Sequence, residues 1–231
     1  ARPIIGSDGT IYIGDLEGKF YAVNPTGDLA GVIDLFNSPL KNSPAFDEKG
    51  NLYVPGTNGS LYKLDPAILK TKNNIDSNKD SLIAEFEISS EALSTPAITS
   101  NGTIYLTSRD NNLYAIDNST GNLVWNNPLE TNNSIYSSPN IDEQGSLYFA
   151  GTDGYLYSVH TDSKGIANSP WPMFGYNKEN SGLSNYNSSG NPPYIILFSK
   201  NNTPDIINNS IEIAEYQKME LIFAGGDPDG D

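Results

Sequence analysis

The sequence predicts an all-β protein that is assembled from four copies of one small antiparallel sheet. A proline is followed by glycine six residues on and by tyrosine nine and eighteen residues on, and this pattern occurs four times. The copies start 41, 52 and 43 residues apart, a period that is typical of stacked or radially arranged β units. Between the fixed positions, β-branched and aromatic runs alternate with turn residues. The four sets are Pro3, Gly9, Tyr12 and Tyr21; Pro44, Gly50, Tyr53 and Tyr62; Pro96, Gly102, Tyr105 and Tyr114; and Pro139, Gly145, Tyr148 and Tyr157.

The third copy illustrates how the strands follow one another. Pro96 stands at the first strand, where a missing N–H costs no ladder bond, and an Asn-Gly turn at Gly102 supplies positive φ. Asn111 stands in the next turn, where the other copies have glycine, as expected for left-handed backbone. The predicted strands are residues 95–98, 103–107, 113–116 and 122–125. Four antiparallel strands in about 40 residues are the blade of a β-propeller.

Charge and composition limit the partners of the chain. Its 231 residues include 28 acidic and 13 basic side chains, for a net charge of −15. Nucleic acids and anionic membranes repel such a surface, so we expect neither as a partner. The absence of cysteine leaves out disulfides and thiolate chemistry, and no run approaches the ~20 apolar residues of a membrane span. Because Ala1 enters a repeat partway through, we expect a fragment of a longer protein.

One segment of the third copy carries a family motif. Ala115, Asp117, Thr120, Gly121 and Trp125 have the spacing A-x-D-x-x-T-G-x-x-x-W, which resembles the tryptophan-docking motif of the pyrroloquinoline-quinone (PQQ) repeat family. The resemblance implies that the tryptophan packs between neighbouring blades and that the other residues position it. It further implies that residues 1–168 form four four-stranded blades of an incomplete β-propeller.

A second segment resembles the end of secreted bacterial members of that family. Residues 165–174 contain Trp-Pro-Met-Phe, and Gly175 and Tyr176 stand where the family usually has Arg-His. The resemblance implies that Trp171 and Phe174 are buried against the last blade. Residues 169–193 are therefore assigned as a closing segment and a polar, Gly/Pro-bearing linker.

The pattern changes after the linker. Residues 194–231 contain apolar runs and end in Asp-Pro-Asp-Gly-Asp. This order resembles the start of a cadherin-like or immunoglobulin-like repeat, with too few strands to close a sandwich. The resemblance makes Asp227, Asp229 and Asp231 candidate calcium ligands in the parent protein.

Another acidic loop is the best chemical candidate in the repeats. Asp76, Asn78, Asp80 and Glu87 occupy positions 1, 3, 5 and 12 of a loop, which are oxygen-ligand positions of EF-hand calcium loops. Ser81 stands at position 6, where the sharp turn needs glycine, and the residues from Leu82 onward favour a strand over a helix. The alternative interpretation is a polar loop with incidental spacing. A strand from Leu82 to Glu87 would carry the Glu87 carboxylate ~16 Å from the other candidate ligands in the loop, so we expect no tight calcium site.

Catalytic residues are not indicated. The single histidine, His160, occupies a turn position that is Asn24, Asp65 or Asp117 in the other copies. With one histidine and no cysteine, nucleophilic triads have little support.

Three functions remain open. The favoured one is a non-catalytic extracellular, cell-surface or periplasmic propeller that binds a protein or glycan through its blade loops, without a cofactor. The second is a fragment of a PQQ-dependent quinoprotein dehydrogenase, whose quinone and calcium would lie on the propeller axis. The low tryptophan count and the lack of cysteine disfavour PQQ. The third is the sensor ectodomain of a signalling protein.

Overall fold

A computed structural model confirms the predicted repeat and its strand order. It describes residues 1–35, 38–71, 79–89, 93–163 and 165–177, and the structural statements below concern these residues. The strands are β1 (Ile4–Ile5), β2 (Ile11–Gly14), β3 (Lys19–Val23), β4 (Leu29–Asp34), β5 (Ala45–Phe46), β6 (Leu52–Pro55), β7 (Ser60–Leu64), β8 (Leu82–Glu87), β9 (Ala97–Ile98), β10 (Thr103–Thr107), β11 (Asn112–Asp117), β12 (Leu129–Glu130), β13 (Asn140–Ile141), β14 (Ser146–Ala150) and β15 (Leu156–His160).

The strands form four antiparallel sheets, and sequence neighbours are also neighbours in each sheet. The first three sheets are β1–β4, β5–β8 and β9–β12, and the fourth is β13–β15. A single-turn helix, α1 (Pro66–Lys70), lies between β7 and β8. Four sheets with almost no helix are the propeller-like arrangement that the repeat predicts.

The repeat residues occupy the positions that their backbone chemistry requires. Each first strand begins directly after its proline, so the missing N–H falls outside the ladder. The four turn glycines, Gly9, Gly50, Gly102 and Gly145, have φ between 79° and 83°. Asn111 has φ 75° where the other repeats have glycine, which confirms the predicted left-handed turn.

The core is a series of three similar interfaces between consecutive sheets. We call the side of a sheet that faces the following sheet its forward face, and the opposite side its backward face. The first interface joins Ile4, Tyr12, Phe20 and Ala22 to Phe46, Leu52, Val54, Tyr62 and Leu64. The second joins Ala45, Tyr53 and Leu61 to Ile98, Ile104, Leu106, Tyr114 and Ile116. The third joins Ala97, Tyr105, Leu113 and Ala115 to Ile141, Leu147, Phe149, Tyr157 and Val159.

Two predicted details of the strands are wrong. Residues 122–125, predicted as the fourth strand, form no named strand: they contact β11 through the bridge between Ile116 and Leu123 and through two backbone hydrogen bonds, and the outer strand is β12 instead. Pro128 directly precedes β12 and has no N–H, which interrupts the ladder. The fourth sheet has three described strands instead of four, because the chain after β15 turns back to the third sheet, where Thr99 bridges Ile166.

Helix α1 fills a gap beside the first sheet. The Asp65 side chain accepts hydrogen bonds from the N–H groups of Ala67 and Ile68, and Pro66 starts the helix. Leu69 is fully buried in the first interface. A Cβ added to Gly31 would lie 2.0 Å from the Leu69 carbonyl oxygen, so only glycine permits this approach.

Candidate functional site

Three residues of the docking motif lie in one turn of the third sheet. The Asp117 carboxylate accepts hydrogen bonds from the Ser119 hydroxyl at 2.5 Å and from the Thr120 N–H at 2.8 Å. These bonds hold the pKa of Asp117 at about 2. Gly121 follows with φ 74°, and a Cβ there would lie 2.2 Å from the Phe86 ring. The turn therefore packs against the outer strand of the second sheet.

The motif tryptophan covers a repeat tyrosine. The ring centroids of Trp125 and Tyr105 are 5.8 Å apart, and the Val124 N–H donates to the Ala115 carbonyl at 2.8 Å. Trp125 is partly buried against the interface between the third and fourth sheets. The small Ala115 leaves the space over the tyrosine ring for the indole.

In the second sheet a lysine takes the place of this tryptophan. Lys63 stands at the repeat position of Ala115, and its Nζ lies 5.5 Å from the centroid of the Tyr53 ring. The ammonium donates to the Asn118 carbonyl at 2.8 Å, and burial lowers the pKa of Lys63. Of the four repeats, only the second has a charged residue at this position. That difference is the sequence signal that could have identified Lys63.

The segment that contains Trp171 and Phe174 runs along the first strands of several sheets. The Ala167 N–H donates to the Ile98 carbonyl, and the Phe46 N–H donates to the Trp171 carbonyl, both at 2.8 Å. Trp171 is buried, as predicted, but it lies between the first and second sheets rather than against the last one. Phe174 is half-buried under the Arg2 guanidinium. The predicted location was wrong because the segment returns from the fourth sheet and passes the first strands of the third and second sheets.

Hydroxyl groups before the repeat prolines link consecutive sheets. The Ser43 N–H donates to the Thr95 Oγ1 at 3.0 Å, and the Thr95 N–H donates to the Ser138 Oγ at 3.2 Å. Sequence reasoning missed this ladder, although the serine or threonine before three of the four prolines was its signal.

A polar cleft lies between turns of the second and third sheets. It has a volume of about 180 Å³ and is lined by Asp47, Glu48, Lys49, Thr99, Ser100, Asn101, Gly102 and Asn118. Asp47 is buried and accepts hydrogen bonds from the Asn51 N–H at 2.8 Å and the Tyr53 hydroxyl at 3.1 Å. Its carboxylate therefore organises the turn.

Aromatic side chains are exposed at the end of the third and fourth sheets that lies opposite the polar cleft. Tyr136 is 60% and Tyr155 is 62% exposed, and the Arg109 guanidinium lies 4.7 Å from the centroid of the Tyr136 ring. Hydrogen bonds from the Ser134 hydroxyl to the Arg109 carbonyl at 2.7 Å and from the Thr152 hydroxyl to the Ser134 carbonyl at 2.9 Å hold these loops together. We call Arg109, Tyr136 and Tyr155 the tyrosine surface.

The predicted calcium ligands are not brought together where they are described. Asp80 precedes β8, whereas Glu87 ends that strand and pairs with Ser60. A strand advances about 3.3 Å per residue, so the two carboxylates cannot share an ion. Asp76, Asn78, Asp227, Asp229 and Asp231 lie outside the described residues. His160 is exposed at the end of β15.

Two first strands hydrogen-bond with the closing segment, since the N–H groups of Phe46 and Ile98 donate to the carbonyls of Trp171 and Pro172. Met173 is fully buried beside them. Across the described ranges, no three His, Cys, Asp or Glu side chains are grouped so that they could hold a metal ion.

The described part of the chain contains no helix with the length and hydrophobicity that crossing a bilayer requires.

Comparisons with known proteins give a family and a fold. The family model PQQ_2, described as outer membrane protein assembly factor BamB, matches residues 1–171. No curated protein matches the chain. Among solved structures, the crystal structure of the computationally designed Ika4 protein is similar, with a TM-score of 0.55 at 13% identity. The match covers 68% of this chain and 88% of the designed one, and at this identity it concerns the fold alone.

Proposed function

The chain belongs to the PQQ_2 family, which is described as outer membrane protein assembly factor BamB, and from that premise we propose that it is a non-catalytic scaffold that binds a protein partner. The tyrosine surface is the binding site in this proposal. The family description supports an extracellular, cell-surface or periplasmic location. The predicted immunoglobulin-like or cadherin-like repeat at residues 194–231 lies outside the described residues.

The exposure of Tyr136 and Tyr155 is the observation that carries the proposal. Both are more than half exposed, although large aromatic side chains usually bury most of their surface. Tyrosine and arginine are the residue types that most often dominate binding energy at protein interfaces. The hydrogen bonds among the loops of Arg109, Ser134 and Thr152 fix the backbone beneath these side chains, which lowers the entropy lost on binding.

The hydrogen bonds that the aspartate carboxylates accept also support a non-catalytic scaffold function. Asp47, Asp110 and Asp142 each accept a hydrogen bond from a repeat tyrosine and from turn N–H groups. Such carboxylates stabilise turns and leave few groups for acid–base chemistry.

Selection of peptides on the immobilised chain tests the proposal. We expect selected peptides to lose roughly 30-fold or more in affinity on the double variant Tyr136→Ala/Tyr155→Ala, measured by calorimetry. Leu16→Ala is the matched control, because Leu16 is 66% exposed in the equivalent turn region of the first sheet. Unchanged affinity in the double variant, or binding of glycans but no peptide on parallel arrays, would refute a protein-binding tyrosine surface.

The competing dehydrogenase function has its own test. We expect no quinone absorbance to accompany the chain through gel filtration after incubation with PQQ and calcium. Stoichiometric retention with dye-linked alcohol oxidation would replace the scaffold with the enzyme.

A further inference from the structure

The part of the chain that carries the tyrosine surface is strongly acidic. Residues 93–163, which form the third and fourth sheets, contain seven acidic side chains and one basic side chain, Arg109. Three of the carboxylates belong to the same end of the sheets as the tyrosines. Asp110 and Asp153 lie in the β10–β11 and β14–β15 turns, and Glu130 ends β12, next to the first of these turns. The field at this end is therefore negative, and it attracts cations.

Tyrosine rings of this chain already hold cations in two places. The Arg109 guanidinium lies 4.7 Å from the centroid of the Tyr136 ring. The Lys63 ammonium lies 5.5 Å from the centroid of the Tyr53 ring. Both distances are within the ~6 Å over which a ring attracts a cation. A positively charged group is therefore what we expect over an exposed tyrosine ring that is still open.

Tyr155 has such an open ring. Its side chain is 62% exposed, and among the described residues no lysine or arginine lies over it. The Tyr155 N–H donates to one carboxylate oxygen of Asp153 at 3.1 Å, and the Tyr157 hydroxyl donates to the other at 2.6 Å. The Asp153 carboxylate is thus fixed beside Tyr155, where its charge adds to the attraction of the ring for a cation.

The exposure of both tyrosines is set at the interface between the third and fourth sheets. The centroid of the Tyr155 ring lies 6.4 Å from that of Tyr157, which is on the backward face of the fourth sheet and packs against the third. Ile135, next to Tyr136, is 2% exposed and forms a bridge with Gly151. Both tyrosines therefore stand at the edge of an interface whose two sheets are described.

Building on the proposed function, we propose that the tyrosine surface binds a basic segment of the protein partner, with a lysine or arginine side chain over the Tyr155 ring and beside the Asp153 carboxylate. The ring and the carboxylate attract the same charge. Arg109 already covers Tyr136 and repels a second cation there, so the charge of the partner is directed to Tyr155. The negative field speeds the encounter with a basic segment and disfavours acidic ones.

Selection from a charge-balanced peptide library tests the proposal. The library displays peptides of about twelve residues in which Arg, Lys, Asp and Glu are equally frequent, and the full chain is the immobilised target. Among peptides that lose affinity on Tyr136→Ala/Tyr155→Ala, we expect Arg and Lys to exceed Asp and Glu roughly threefold or more. Equal frequencies, or an acidic excess, would overturn the basic partner and leave a protein-binding tyrosine surface intact. No loss of affinity on the double variant would refute both.

Neutral isosteres locate the charge of the partner. In a selected peptide each arginine is replaced by citrulline, or each lysine by acetyl-lysine, one at a time. We expect one replacement to cost about tenfold in affinity on the unmodified chain and on Tyr155→Phe, but less than about twofold on Tyr155→Leu, which has no ring. Calorimetry measures the affinities, and circular dichroism confirms that each variant is folded. An equal loss on Tyr155→Leu would overturn the placement over Tyr155.

Salt and two carboxylate variants test the negative field. Binding of the selected peptide should weaken about tenfold between about 0.05 and 0.5 M sodium chloride, because salt screens exposed charges. Glu130→Gln should slow association about twofold. Asp162→Asn removes the same charge beyond the far end of β15, more than the Debye length of about 8 Å away at about 0.15 M salt, and should leave the rate unchanged. Binding that is independent of salt, or equal slowing by the two variants, would overturn the attraction of a basic partner.

Discussion

Replacing Trp171 by alanine is expected to destabilise the first interface strongly. The indole is 6% exposed in the cluster between the first and second sheets, and its ring centroid lies 5.6 Å from that of Tyr176. Truncation of a buried tryptophan leaves a cavity and costs about 3–5 kcal/mol of unfolding free energy. Trp125→Ala should cost about half as much, because that side chain is only partly buried against the third interface.

Urea denaturation followed by circular dichroism measures the difference. With a slope of about 2 kcal/mol per M, the Trp171→Ala midpoint should fall by ~1.5–2.5 M. The chain has two tryptophans, so fluorescence of the Trp171→Ala variant reports on Trp125 and the third interface alone. Trp171→Phe, which keeps an aromatic ring, is the control and should lose less. A smaller midpoint change for Trp171→Ala than for Trp125→Ala would refute the placement of Trp171 in the first interface.

Three further substitutions test other parts of the structure. Thr95→Val keeps the side-chain shape but leaves the buried Ser43 N–H without its acceptor, so unfolding free energy should fall by ~1–3 kcal/mol while Thr95→Ser stays close to the unmodified protein. Gly31→Ala should lower the thermal midpoint by displacing the Leu69 carbonyl, 2.0 Å from the added Cβ, at a cost of ~1–3 kcal/mol; an unchanged midpoint would contradict the position of α1. Asp117 has a pKa of about 2, lowered from ~3.9, so its stabilisation is present above pH ~4 and is lost as pH falls through 2. The difference in thermal midpoint between the unmodified protein and Asp117→Asn should therefore shrink over that range, and a constant difference would contradict the low pKa.

The strand starts and the turns of the repeat could be predicted from the sequence. The first strand starts after Pro44, Pro96 and Pro139, and Asn111 adopts left-handed backbone. A proline restricts its own φ and lacks an N–H, and glycine or asparagine tolerates positive φ, whatever surrounds them. Repetition of these local rules four times was enough to predict the sheets.

The contacts between distant residues required the tertiary structure. Lys63 covers the Tyr53 ring, Thr95 accepts a hydrogen bond from Ser43, and Trp171 lies in the first interface rather than the last. Each of these contacts depends on which sheets become neighbours and on the path that the chain takes after its fourth sheet. The sequence alone determines that four like sheets form, because their signals lie within a few residues of one another. The place where Trp171 is buried depends on the packing of all the sheets that precede it in the chain, and no local preference specifies it.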